Sequence, residues 1–113
     1  MTLVLLLACM HAPPVASVLY RQGQLPKAKA AYERALAVKI TVHGEQSAST
    51  ADTMYNLAML LRDQNALTEA TILARRCVAA SEASLGEANP RTADARTLLE
   101  ALAREGREAG VRI

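Results

Sequence analysis

The sequence repeats itself with a period of 42 residues, and this repeat limits the folds that the chain can adopt. Shifting the sequence by 42 positions brings many identical residues into register, with conservative matches between them. The identical pairs include Leu19 with Leu61, Gln22 with Gln64, Leu25 with Leu67, Ala28 with Ala70, and Gly44 with Gly86. A third copy begins after the second. A period of this length indicates a solenoid, in which each copy is one supersecondary unit stacked on its neighbour.

The second copy carries the pattern of a helix followed by a tight turn. Met54, Leu57 and Leu61 lie at spacings of three, four and seven within residues 50–63, so they share one face of a helix. Asn65 suits the turn that follows, because asparagine tolerates the left-handed backbone conformation.

A second helix completes each copy. We expect Thr68 to cap this helix and Gly86 to end it, since hydroxyl side chains favour the N-cap and glycine the C-terminus. The same reasoning predicts a helix over residues 28–41 in the first copy, ended by Gly44. A helix over residues 91–105 opens the third copy.

Composition supports helices over strands. The chain has 113 residues, with 23 Ala and 16 Leu but no Trp, no Phe and three Tyr. Ala and Leu favour helices, whereas strands prefer β-branched and aromatic residues. We therefore predict one all-α domain over residues 14–107, a short right-handed α-solenoid of antiparallel helix pairs with about two repeats and a capping helix. Residues 108–113 form a C-terminal tail.

Residues 1–13 form an apolar segment with two open interpretations. Its apolar run, residues 3–8, is too short to span a bilayer, and no basic residue precedes it as in a secretory signal. The stretch Leu6 to Cys9 nevertheless has the form of a bacterial lipoprotein cleavage box. The segment is either part of a helix or the remnant of a targeting signal. A helix can restart at Pro14, because proline is accepted in the first helical turn.

The helix pairs resemble tetratricopeptide repeats, and the 42-residue period is similar to the longer repeat of kinesin light chains and nephrocystin-like proteins. The residues that carry this resemblance are Leu85-Gly86-Glu87-Ala88-Asn89-Pro90, Thr53-Met54-Tyr55-Asn56-Leu57-Ala58 and Arg62-Asp63-Gln64-Asn65. Residues 43–48 depart from it, because they lack the leucine and the proline. The resemblance implies a groove that binds peptides, and it implies that Asn56 holds the peptide backbone.

Little in the sequence indicates chemistry at a reactive centre. The two cysteines, Cys9 and Cys77, lie 68 positions apart, and the two histidines, His11 and His43, have no acidic or thiol group arranged around them. We predict no enzyme activity, no cofactor and no metal. Cys77 falls within a helical pattern, where we expect buried packing.

The charge pattern bears on the partner. The net charge of +2 is too small for a dedicated nucleic-acid binder. Residues 1–43 hold five basic residues and one acidic residue, which favours an acidic or mixed-charge protein partner. We expect neither nucleic acid nor a membrane as the partner.

The repeat register places the first helix of each copy along the binding groove. The six residues that we assign to this peptide-binding groove are Tyr20, Arg21, Tyr55, Asn56, Met59 and Arg62. Neighbouring positions on the same faces are Ser17, Asp52, Asp63, Thr97, Ala101 and Arg104. An asparagine amide both donates and accepts hydrogen bonds, and an arginine fork captures carboxylates. Other roles stay open: Asn56 in bonding a neighbouring helix, Arg21 and Arg62 as solvated charges, and Met59 in the core.

The sequence thus predicts a non-catalytic interaction module, a cytoplasmic adaptor similar to kinesin light chain and associated with the cytoskeleton. A first alternative is structural: the chain is a piece of a longer repeat scaffold, or it self-associates through the apolar segment Met1–Cys9. A second alternative is a secreted or lipid-anchored bacterial repeat protein.

Overall fold

The computed structural model describes residues 14–110, and helices account for 83% of them, with no strand in that range. The five helices are α1 (Pro14–Arg21), α2 (Leu25–His43), α3 (Ala48–Asp63), α4 (Leu67–Leu85) and α5 (Pro90–Glu108). The fold is a short all-α solenoid, as predicted. The two interpretations of residues 1–13, and a role of Cys9 in either of them, lie outside the described residues.

The helices form two layers, because each helix packs mainly against its neighbours along the chain. We call α1, α3 and α5 the A layer and α2 and α4 the B layer. Within the A layer, Tyr20 on α1 bonds Asp63 on α3, and Arg62 on α3 bonds Glu105 on α5. Tyr20 and Arg62 occupy the same repeat position, as do Asp63 and Glu105, because each pair is separated by 42 residues. The same contact therefore recurs from one copy to the next.

The backbone repeats as closely as the sequence does. Gly44 and Gly86 end α2 and α4 with φ of 84° and 86°, and ψ is 163° at both. Only glycine adopts this combination without strain. The next helix is fixed in the same way in both copies, since the hydroxyls of Thr50 and Thr92 donate to the carbonyls of these two glycines at 2.8 Å. The predicted C-termini are confirmed.

The core runs between the layers and consists of the predicted helical faces. Met54 and Ala58 are fully buried, and Leu57 and Leu61 are 4% exposed. Burying each such leucine or methionine contributes about 1.5–3 kcal/mol. Ala70 is also fully buried, and the small side chain lets adjacent helices approach closely.

Three sequence predictions about the helix ends need correction. Thr68 does not cap α4: the helix begins at Leu67, its N-cap is Ala66, and no side chain bonds the cap. The preceding turn supplies the start instead, because Asn65 takes the left-handed conformation (φ 60°) and the helix begins two residues earlier than predicted. The predicted helices over residues 28–41 and 91–105 extend further at both ends, to Leu25–His43 and Pro90–Glu108, with Pro26 and Pro90 in their first turns.

Helix α5 has one buried and one exposed side. Leu98 and Leu102 face the core, whereas its outward positions Glu100, Arg104 and Arg107 are exposed. Across residues 14–110, no helix is both long enough and apolar enough to cross a bilayer.

Candidate functional site

The A layer presents a surface that we call the groove, and it holds the six residues predicted from the sequence: Tyr20, Arg21, Tyr55, Asn56, Met59 and Arg62. Two of these lie on α1 and four on α3. The A-layer helices meet one another through side chains, while their backbones pack against the B layer. Cavities therefore open between them, with B-layer side chains beneath.

The first cavity lies between α1 and α3 and measures about 160 Å³. Its lining residues are Ser17, Tyr20, Arg21, Tyr32 and Asn56. Asn56 is half-buried, and within residues 14–110 its amide forms no hydrogen bond. Arg21 is exposed and pairs with no carboxylate of the described chain. The cavity thus offers an amide and a cation to an external ligand.

Tyr20 forms one wall of the first cavity and is held by α3. Its hydroxyl donates a hydrogen bond to Asp63. Burial, followed by this bond and the carboxylate charge, raises the pKa of Tyr20 to about 12. The phenol therefore stays protonated at neutral pH, and its ring has a fixed orientation.

The second cavity lies between α3 and α5 and measures about 200 Å³. Its lining residues are Ala51, Asp52, Tyr55, Cys77, Ser81, Arg91 and Asp94. Arg91 on α5 forms an ion pair with Asp52 on α3 and so bridges the rim. Cys77 and Ser81, both buried, come from α4 and lie beneath the A layer.

Arg62 and Met59 are engaged within the chain. The Nε and Nη2 atoms of Arg62 donate to the Glu105 carboxylate at 3.0 and 2.7 Å, and these bonds raise the pKa of Arg62. The pair ties α3 to α5, so Arg62 is a structural link and its fork is occupied. Met59 is half-buried and packs on the core.

Several residues of the cavities were not predicted from the sequence. Asp94 lines the second cavity and is the 42-residue counterpart of Asp52, so the repeat itself could have indicated it. Tyr32 and Ser81 belong to the B layer, which the sequence associates with packing alone. The predicted third-copy residues Thr97, Ala101 and Arg104 line neither cavity.

The cavities are suited to binding through hydrogen bonds and charges. Burial raises the pKa of the Cys77 thiol, which therefore stays protonated, and Sγ donates to the Ala51 carbonyl at 3.3 Å. The predicted buried packing of Cys77 is thus observed. In the part of the chain that the structure describes, no group of three or more His, Cys, Asp or Glu residues is placed to hold a metal.

Comparison with known proteins agrees with this architecture. A family model described as "Tetratricopeptide repeat" matches residues 6–83, which is more than half of the chain. The matched range begins 42 positions before Ala48, the first residue of α3, and ends close to the end of α4. No curated protein matches the chain significantly.

Proposed function

Because the chain belongs to the tetratricopeptide repeat family, we propose that it is a non-catalytic interaction module whose groove binds a peptide segment of another protein. Tetratricopeptide repeats generally mediate protein–protein interactions, and the family typically lacks catalytic activity. The observation that carries the proposal for this chain is the Asn56 amide, half-buried in the first cavity without a partner in residues 14–110.

A peptide backbone supplies the groups that Asn56 needs. An extended segment exposes N–H and C=O groups in alternation, and an amide side chain bonds both kinds. Such bonds hold the backbone whatever its side chains are. The groove residues around Asn56, above all Tyr20 and Arg21, then contact those side chains.

The charges of the groove favour a ligand that carries at least one carboxylate. Arg21 is exposed at the first cavity without an acidic partner among the described residues. A guanidinium can form two parallel hydrogen bonds to a carboxylate. We therefore propose an acidic or mixed-charge protein segment as the ligand, and neither nucleic acid nor a membrane.

A finer proposal concerns the cellular role. The 42-residue period and the Leu85–Pro90 stretch resemble the kinesin light chain repeat. On this resemblance we propose a cytoplasmic adaptor that links a partner to a larger assembly, associated with the cytoskeleton.

A capture experiment tests the proposed function. The wild-type chain and the variants Asn56→Ala and Arg21→Ala are used to capture partners from a cell lysate, which are identified by mass spectrometry. Arg75→Ala is the matched control, because Arg75 is exposed on α4 in the B layer. We expect partners that the control retains and the groove variants lose, with unchanged melting temperatures. Equal capture by all variants would contradict the proposal.

A second candidate function, self-association within a repeat scaffold, is favoured by an apolar patch on the first copy. Val42 is 45% exposed, and Ala37, Val38, Thr41 and Val42 line an open hollow on α2. Exposed apolar residues of this size suit contact with another repeat. Sedimentation across a concentration range tests it: a dimer that Val42→Lys dissociates would support self-association, and a monomer at all concentrations would refute it.

A further inference from the structure

The second cavity carries one carboxylate that has no partner among the described residues. Its charged residues are Asp52, Arg91 and Asp94, and Arg91 is already paired with Asp52. The Asp94 carboxylate forms no ion pair or hydrogen bond with any residue in the described range 14–110. The cavity therefore has one uncompensated negative charge, the opposite of the uncompensated Arg21 at the first cavity.

The remaining walls suit a flat cation. Tyr55 supplies an aromatic ring, while Ala51 and Cys77 supply apolar surface. Arginine stacks on an aromatic face and is less strongly hydrated than the lysine ammonium, so a site with a carboxylate and a ring favours it. The volume of about 200 Å³ is sufficient, since a cavity of about 150 Å³ accommodates benzene.

The two cavities share helix α3 as a wall. Asn56 lines the first and Tyr55 lines the second, and these residues are neighbours on α3. A peptide that is held by Asn56 and extends across α3 towards α5 reaches the second cavity.

We infer that the second cavity receives an arginine side chain of the bound peptide, with its guanidinium on the Asp94 carboxylate and against the Tyr55 ring. This inference rests on the proposed function. It assigns the ligand a mixed charge: a carboxylate faces Arg21, and an arginine enters beside Asp94.

Selection from a library of random 12-residue peptides tests the inference. The wild-type chain is compared with Asp94→Lys, which reverses the charge at the cavity. Glu100→Lys is the matched control, because it makes the same charge change at an exposed position of α5 outside both cavities. We expect the wild type to enrich peptides with arginine at one fixed position. The strongest peptide should bind Asp94→Lys about tenfold more weakly, since attraction is lost and repulsion is gained, each worth up to about fivefold between exposed charges. Its affinity for Glu100→Lys should be unchanged.

Other outcomes separate this inference from the proposed function. Selected peptides that bind less tightly to Asn56→Ala but carry no arginine would overturn the inference and leave groove binding intact. The same holds for peptides that need Asn56 but bind Asp94→Lys as tightly as the wild type. Equal binding after arginine is replaced by lysine, or a requirement for a free peptide amino group, would overturn the assignment of arginine. If the wild-type chain selects no peptide, the proposed function and the inference both fail.

Discussion

The link between Arg62 and Glu105 gives the sharpest test of how the A layer is held together. The structure makes Arg62 a bridge between α3 and α5, whereas the sequence assigns it to peptide binding. The perturbation is a double-mutant cycle of Arg62→Ala, Glu105→Ala and the two together. Such a cycle isolates the energy that the two side chains share.

The magnitude follows from the geometry and the exposure of the pair. Nε lies 3.0 Å from both carboxylate oxygens and Nη2 lies 2.7 Å from one of them, so the contact is charge-assisted and forked. The two side chains are 33% and 32% exposed. Fully exposed ion pairs contribute about 0.2–1 kcal/mol, and hydrogen bonds to charged groups contribute about 1.5–3 kcal/mol. For a pair that is one-third exposed we expect a coupling energy of about 1 kcal/mol.

Urea unfolding followed by circular dichroism measures this coupling energy. With an unfolding entropy of about 2.1 cal/mol/K per residue, a 113-residue chain loses about 4 °C in melting temperature for each kcal/mol. Each single variant should therefore melt about 4 °C lower than the wild type, and the second substitution should add little. Molar salt should reduce the difference through screening. A coupling energy below about 0.3 kcal/mol would refute the link and return Arg62 to the set of residues available for peptide binding.

Three further predictions concern the fold. Ala70→Glu places a carboxylate at a fully buried helix contact and should cost at least about 4 kcal/mol, and an unchanged thermal melt would refute the repeat register. Gly86→Ala meets no steric obstacle but forces φ of 86° on a residue with a Cβ, so urea unfolding should show a loss of about 1–3 kcal/mol. Gly23→Asn should cost less than about 0.5 kcal/mol, because Asn65 occupies the equivalent position of the next copy with φ of 60°. An equal loss of stability in Gly23→Asn and Gly86→Ala would contradict this explanation. Burial lowers the pKa of Lys39, so the folded state binds this proton less tightly than the unfolded state, and stability should rise as the pH approaches the unfolded value of 10.5. Lys39→Met should remove this rise in urea unfolding, and an equal rise in the variant would contradict the explanation.

The repeat made much of the fold predictable from the sequence. Its period places Gly44 and Gly86 at equivalent helix ends, and both ends have the same backbone angles. These features depend on local conformational preference, which the sequence expresses directly. The N-cap of α4 was predicted wrongly because Thr68 has the preferred side chain, yet the turn at Asn65 starts the helix earlier.

The contacts of the groove were less predictable. The sequence assigns Arg62 to the peptide-binding groove, whereas in the structure it bonds Glu105, which lies 43 positions away on another helix. Such a pairing depends on how adjacent copies are displaced and on the rotamers of long side chains, neither of which the 42-residue period determines. Asp52 and Asp94 occupy the same repeat position, yet Asp52 is paired with Arg91 and Asp94 has no partner in the described residues. The 42-residue period does not determine this difference either.

Peptide binding by the groove is tested most directly by an amide chemical-shift map of the chain. The map is recorded during titration with a library-selected peptide. We predict saturable shifts concentrated on α1 and α3 around Tyr20, Tyr55 and Asn56, with little change at Arg75 and Ile72 in the B layer. Asn56→Ala should weaken binding while the spectrum stays that of a folded chain. Shifts centred on the B layer or around Val42, or binding that Asn56→Ala leaves unchanged, would contradict the claim.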